Sequence, residues 1–171
     1  TLEQTEQIPA DGLVTTRPGI PVGVYVADCL PILVASTQGV AALHGGWRSV
    51  IAGIIERGIE TLTGLTGDAP SSLRMAVGAG IGPCCFEVGQ EVVEAFRERD
   101  LTRFILTLPG SAKPHIDLPG AAREIAVRAG LSGEQLWVSP HCTMCAGHLY
   151  YSYRRECWPT GQMMGLIGLR E

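Results

Sequence analysis

Residues 27–48, ADCLPILVASTQGVAALHGGWR, constrain the fold more than any other stretch of this chain. Two continuous apolar runs of strand length, residues 30–35 and 40–43, flank a turn around Thr37-Gln38-Gly39, so the spacing predicts a β-hairpin. Cys29 stands just before the first strand, and His44 closes the second, followed by Gly45-Gly46-Trp47-Arg48. Side chains alternate faces along a strand. An even number of loop residues therefore places Cys29 and His44 on one face, and an odd number separates them. A sulfur and an imidazole sharing a face suit zinc or copper. They equally suit a nucleophilic pair in which the imidazole draws the thiol proton. A buried structural cysteine beside an unrelated histidine is the plain alternative.

The rest of the chain reads as helices and strands around this hairpin. Residues 11–15, 22–27, 73–79, 136–139 and 163–169 have the composition of short strands. Val50, Ile51, Ile54, Ile55, Ile59 and Leu62 fall on one helical face, predicting a helix over 49–63 that stops at Gly64. Further helices are expected over 90–99 and 119–129, the latter with Pro119 in its first turn and Gly130 as its stop. Residues 1–10 are polar and acidic, and read as an arm. The order is not a strict strand–helix alternation, which favours an α+β fold with a mixed sheet in one domain over residues 1–171.

The 171 residues are 46% hydrophobic and only 18% charged, with a formal net charge of −4, so a single well-cored domain is expected and disorder is excluded. With no basic run, nucleic acid and membrane surfaces are not expected partners. Lys113 is the only lysine, which leaves Schiff-base and P-loop chemistry nothing to work with. There is no signal-peptide pattern and no bilayer-length apolar run. The six cysteines are therefore read as reduced thiols, metal ligands or reactive groups before disulfides. The chain begins at Thr1 without Met, so a missing N-terminal portion is expected.

Other motifs divide by what fails. Gly78 to Gly82 follows a predicted strand, but Pro83-Cys84-Cys85 cannot open a helix, so the dinucleotide fingerprint is not met. The bend is expected to present Cys84 or Cys85 toward a cavity. His44-Gly45-Gly46 matches an esterase oxyanion loop, yet no G-x-S-x-G accompanies it. Cys142-x-x-Cys145-x-x-His148, with His141 alongside, has the ligand density of a zinc knuckle; a loop with incidental thiols is the competing reading. Arg154 and Arg155 are candidate phosphate forks. Arg48 is the better anion candidate, four residues after His44 at an expected helix start.

Several blocks in order resemble the YfiH family, also called laccase-domain or multicopper polyphenol oxidase-like proteins. They are DGLVT at 11–15, ADCLP at 27–31, HGGWR at 44–48, GIGPCCFEVG at 80–89, CT at 142–143 and SYRR at 152–155. Each block is weak by itself; together they are specific and cover nearly the whole chain. The resemblance implies a layered α/β/β/α fold related to cysteine-hydrolase toxins. It implies a cytoplasmic, zinc-dependent purine nucleoside phosphorylase acting on adenosine, inosine and methylthioadenosine, with an adenosine deaminase side activity. Copper-dependent phenol oxidation is the family's older label, so copper is the alternative cofactor. Of the implied His-Cys-His metal triad, Cys29 and His44 match two members. No histidine precedes Asp11 to match the first, so that ligand either belongs to a missing N-terminal portion or is lost, and Gly45 and Phe86 replace a more usual Ala and Tyr. The expected catalytic set is Cys29, His44 and Arg48. Substrate contacts are expected from Arg48, Trp47, Phe86, Cys84, Arg154 and Arg155. The partners would be a purine nucleoside and phosphate, and the protein a monomer or small homo-oligomer. A Cys-His hydrolase or deamidase is the rival enzyme class, and a zinc-stabilised interaction module built on 142–148 the rival non-enzyme.

Overall fold

The computed structural model describes residues 9–170. All but the last two residues of the expected N-terminal arm lie outside that range. The predicted hairpin forms the centre of a five-stranded sheet. Strands β3 (Leu30–Ala35) and β4 (Val40–Gly45) pair antiparallel, with Ala35 opposite Val40, leaving a four-residue loop. Strand β1 (Gly12–Thr15) adds to the free edge of β4, and β5 (Arg74–Val77) adds to β3, both antiparallel. Beyond β5 lies β8 (Leu136–Val138), the one parallel neighbour, giving the order β1-β4-β3-β5-β8. A parallel return needs a long crossover. Here it carries a short pair, β6 (Ile105–Leu106) with β7 (His115–Ile116).

Burial along β3 alternates, and this builds the layers. Leu30, Ile32 and Val34 face a large core shared with helices α1 (Trp47–Ile51), α2 (Ile54–Thr66), α3 (Gln90–Glu98) and α4 (Leu118–Arg128). Leu33 and the neighbouring Cys29 face the other way. They meet a smaller cluster with Val24 and Val26 of β2 (Val22–Val26), which pairs with β9 (Met163–Ile167). Helices, large sheet and small sheet thus follow in sequence, and the mixed α+β class holds. Among the described residues no helix is long and apolar enough to cross a membrane.

The predicted helix over 49–63 is two helices. Gly53 sits at φ +88°, a left-handed conformation that ends α1 and starts α2. Nor does Gly64 stop the helix: α2 runs through it to Thr66, and Gly67 at φ +75° makes the cap, its N–H donating to Thr63 O at 2.8 Å. The two glycines should therefore respond oppositely to alanine. Gly64→Ala, at a helical position where an added methyl meets open space, is expected to stabilise by about 0.5–1 kcal/mol. Gly67→Ala is expected to destabilise by about 1 kcal/mol through its left-handed backbone. Urea unfolding midpoints of the two variants check both signs.

Candidate functional site

The four-residue hairpin loop is even, and Cys29 and His44 come out on the same side. His44 pairs with Pro31, two residues from Cys29. A Cβ built on Gly46 would stand 3.3 Å from Cys29 Sγ and 3.5 Å from His44 Cε1, so thiol and imidazole flank one small space beside that glycine. Asp11 stands behind the ring. Its Oδ1 is 3.6 Å from His44 Nδ1, too long for a hydrogen bond but within strong electrostatic reach. The backbone holds this arrangement, because His44 N donates to Asp11 O at 2.7 Å. Ser49 Oγ on α1 donates to the other carboxylate oxygen. Asp11, Leu13, Val24, Tyr25 and His44 line an open cleft of about 460 Å³, within the usual size range for small-ligand sites.

Burial pushes the Cys29 thiol up to about 11, and the negative charges of Asp28 and Asp11 push it the same way. A free Cys29 therefore keeps its proton at neutral pH, the opposite of an activated nucleophile. The sign for stability follows. The folded chain holds that proton more tightly than the unfolded one, so the contribution is complete below the ordinary thiol value of 9.0 and is lost as pH rises toward 11.

The corner that carries Cys29 is built around Asp28, which lies in the 27–31 block but is absent from the expected site residues. Asp28 is 8% exposed and adopts φ +81°, which Asp tolerates better than most residues. Its carboxylate accepts from Thr143 Oγ1 at 2.6 Å and from Arg154 N at 2.7 Å. Its carbonyl accepts from Ile81 N at 2.8 Å. Gly80 packs so closely there that a Cβ would lie 2.9 Å from Asp28 O. Three separated sequence blocks, at 80–89, 142–143 and 152–155, thus converge on the residue before Cys29.

The remaining expected site residues divide. Arg48 is exposed and stacks over Trp47 at 4.3 Å, while Trp47 is half-buried against the main core. Trp47 thus carries Arg48 as well as facing outward. The α1 that begins there has only five residues. Arg154, on α5 (Tyr153–Glu156), donates to Glu87 O at 3.1 Å, and its guanidinium lies 5.8 Å from the Phe86 ring. Phe86 itself is a core residue, 8% exposed, so most of its ring faces inward. Arg155 turns inward too. It donates to Thr143 O, Met144 O and Tyr150 O and pairs with Glu156, latching the 143–150 loop. Those bonds occupy the fork that phosphate would need.

Cys84 does not join Cys29 and His44. It lies with Cys85, Cys142 and Cys145, whose four sulfurs are all within 4.8 Å of one another, a grouping able to hold a metal ion. His148, expected in a knuckle with Cys142 and Cys145, is exposed and outside this group. Against the upward push of burial, the N–H groups of Gly82, Cys145 and Met144 and the Cys84 thiol pull Cys142 down to about 7. Burial and hydrogen bonds to Cys145 and Cys142 push Cys84 up to about 11. The other histidines lie elsewhere. His115 is buried, with Nδ1–H donating to Pro83 O at 2.8 Å, and His141 Nδ1 meets Tyr150 Oη at 2.8 Å.

Comparison with known proteins agrees with the sequence blocks. A family model described as multi-copper polyphenol oxidoreductase laccase matches residues 1–170. A purine nucleoside phosphorylase of Deinococcus radiodurans is 38% identical over 161 residues, covering 93% of this chain and 61% of that protein. The protein named adenosine deaminase RL5, from an unknown prokaryotic organism, is 38% identical over 149 residues, covering 85% and 56%. The crystal structure of YfiH from Bacillus licheniformis superposes with a TM-score of 0.87 at 31% identity, covering 94% of this chain and 61% of that one. The chain thus spans about three fifths of the length of the curated relatives it matches. With matching blocks, fold and family model over nearly every residue, the chain belongs to the multi-copper polyphenol oxidoreductase laccase family, the family of the YfiH proteins.

Proposed function

We propose that this chain carries the metal-dependent site of a purine nucleoside phosphorylase, with adenosine deamination as a side activity. The observation that carries the reading is the meeting of Cys29 and His44 beside Gly46, at the edge of the 460 Å³ cleft. A soft sulfur and an imidazole suit zinc or copper, zinc being the ion the family resemblance implies, and relatives bearing phosphorylase and deaminase names support the reaction class. Cys29 and His44 are the residues that would hold the ion, and Asp11 is the carboxylate at hand beside the ring. A catalytic zinc takes three protein donors, so the implied upstream histidine would complete the set. When bound, the ion would supply Lewis-acid polarisation.

The chain's own residues would do the rest. Asp11 orients the His44 ring through its charge. Arg48, propped on Trp47, offers a fork for phosphate. Arg154, tied by its backbone to the residue before Cys29, offers a second cation on the same corner. Tyr25, 65% exposed on the cleft wall, offers a ring for a purine to stack on. The Cys-His hydrolase reading is less well supported, because burial and two carboxylates keep the Cys29 proton in place.

The test is chromatographic detection of free base from inosine, adenosine and methylthioadenosine on zinc-loaded protein, with and without phosphate. Base release that requires phosphate is the expected result. Conversion of adenosine to inosine without phosphate would make deamination the principal activity. Absence of both from this chain and from a longer form carrying an upstream histidine would overturn the reading.

A further inference from the structure

We propose that Cys84, Cys85, Cys142 and Cys145 bind one zinc ion as a tetrathiolate centre, separate from the Cys29–His44 pair. The four sulfurs lie within 4.8 Å of one another, with Cys145 Sγ 3.4 Å from Cys85 Sγ and 3.6 Å from Cys84 Sγ. A tetrahedron with zinc–sulfur bonds of about 2.3 Å has edges of about 3.8 Å, so the thiols already stand near ligand spacing. Sulfur-only donors exclude hard cations, and a group this compact suits a single ion rather than an iron–sulfur cluster.

The backbone brings the two cysteine pairs together without help from the ion. Strands β5 and β8 are parallel neighbours, and each is followed at its C-terminal end by one pair. A further parallel bridge between Gly80 and Cys142 extends their register, and Thr143 N donates to Gly80 O at 2.9 Å. His115 pins the bend from below through Pro83 O. Gly82 N donates to Cys142 Sγ at 3.2 Å. Backbone N–H groups of this kind offset the negative charge that four thiolates leave on a divalent ion. The donor set mixes two motifs that lie about sixty residues apart, with separations of 60 and 61 for the Cys85–Cys145 and Cys84–Cys145 contacts.

Binding is a plain exchange. Each thiol still protonated trades its S–H bond for an S–Zn bond and passes its proton to solvent, and a sulfur already ionised binds directly. No electron moves. The bound ion would lock the 80–85 bend to the 142–145 loop, and both touch Asp28.

The experiment titrates the reduced, metal-free full chain with Co(II) under anaerobic conditions. The expected result is a tetrathiolate charge-transfer band that saturates at one equivalent and is abolished by added zinc. Cys29→Ser, His148→Gln and Cys157→Ser are expected to retain the band. Cys84→Ser and Cys145→Ser are expected to weaken Co(II) binding by more than the roughly 10- to 100-fold lost when a hydrogen-bond partner of a ligand is removed. A measurement on the unmodified chain covers the case in which these variants do not fold. Iodoacetamide labelling of the zinc-loaded chain, mapped by peptide mass, is expected to spare the four cysteines and to modify Cys157. Absence of the band from the unmodified chain would overturn the proposal. So would a band that follows Cys29 rather than Cys145, or a zinc-free chain two hydrogens lighter than its fully reduced mass.

Discussion

Replacing His44 by alanine is expected to reduce phosphate-dependent base release at least about 10²-fold while leaving the fold intact. His44 is about one-third exposed, so its ring contributes little to the core. The variant removes one of the two donors that meet beside Gly46, and among the described residues no other histidine lies there to replace it. Asp11→Asn refines the expectation. It keeps the side-chain volume and the acceptor for Ser49 but discharges the group facing Nδ1. A loss of about 10- to 100-fold, carried mainly by metal affinity, is expected from removing such an outer partner. Steady-state kinetics with a metal-buffer titration separate the two variants. Equal activity of His44→Ala and the unmodified chain would place the chemistry outside this cleft.

Replacing Asp28 by alanine is expected to destabilise the fold far more than Gly67→Ala. It leaves Thr143 Oγ1 buried without its acceptor and frees Arg154 N, and each hydrogen bond to a charged group is worth about 1.5–3 kcal/mol. Alanine also bears the left-handed backbone poorly. A total loss of about 3–5 kcal/mol is expected, visible as a large fall in denaturant midpoint. Asp28→Asn should lose only about 1 kcal/mol. Its carbonyl can accept from Arg154 N and its amide can donate to Thr143 Oγ1, and asparagine tolerates positive φ. Near-equal stability of the two variants would show that the carboxylate is not what binds the three loops.

The hairpin is legible in the sequence because its signal is local. Apolar runs of strand length and a turn between them lie within residues 27–48, whereas the parity of the loop, which the spacing left open, comes from the pairing of Ala35 with Val40. Local signals mark α4 too, with Asp117 capping Gly120 N at 2.9 Å and Pro119 in the first turn. Helix α2 departs from expectation at both ends because one glycine in a helical run resembles another. Only the backbone angle tells Gly53 and Gly67 from Gly64. The thiol grouping is half legible for a different reason. The motif at 142–148 points to a nearby histidine, whereas the missing partners arrive through the parallel pairing of β5 with β8, which local spacing does not encode. Phe86 and Arg155 resemble ligand contacts by residue type. Burial of one, and carbonyl partners for the other, decide otherwise.

The partners of Asp28 lie 115 and 126 residues further along the chain, and β2 pairs with β9 at the opposite end. A ribosome releasing this chain in order would deliver the central hairpin well before these partners, with Cys29 and His44 already on one face. The corner beneath Cys29, however, cannot close until Thr143 and α5 have emerged. Until then the pair would sit on a sheet whose inner face has yet to receive β9. On the metal reading proposed above, acquisition of an ion at Cys29 and His44 would follow the arrival of Thr143, α5 and β9.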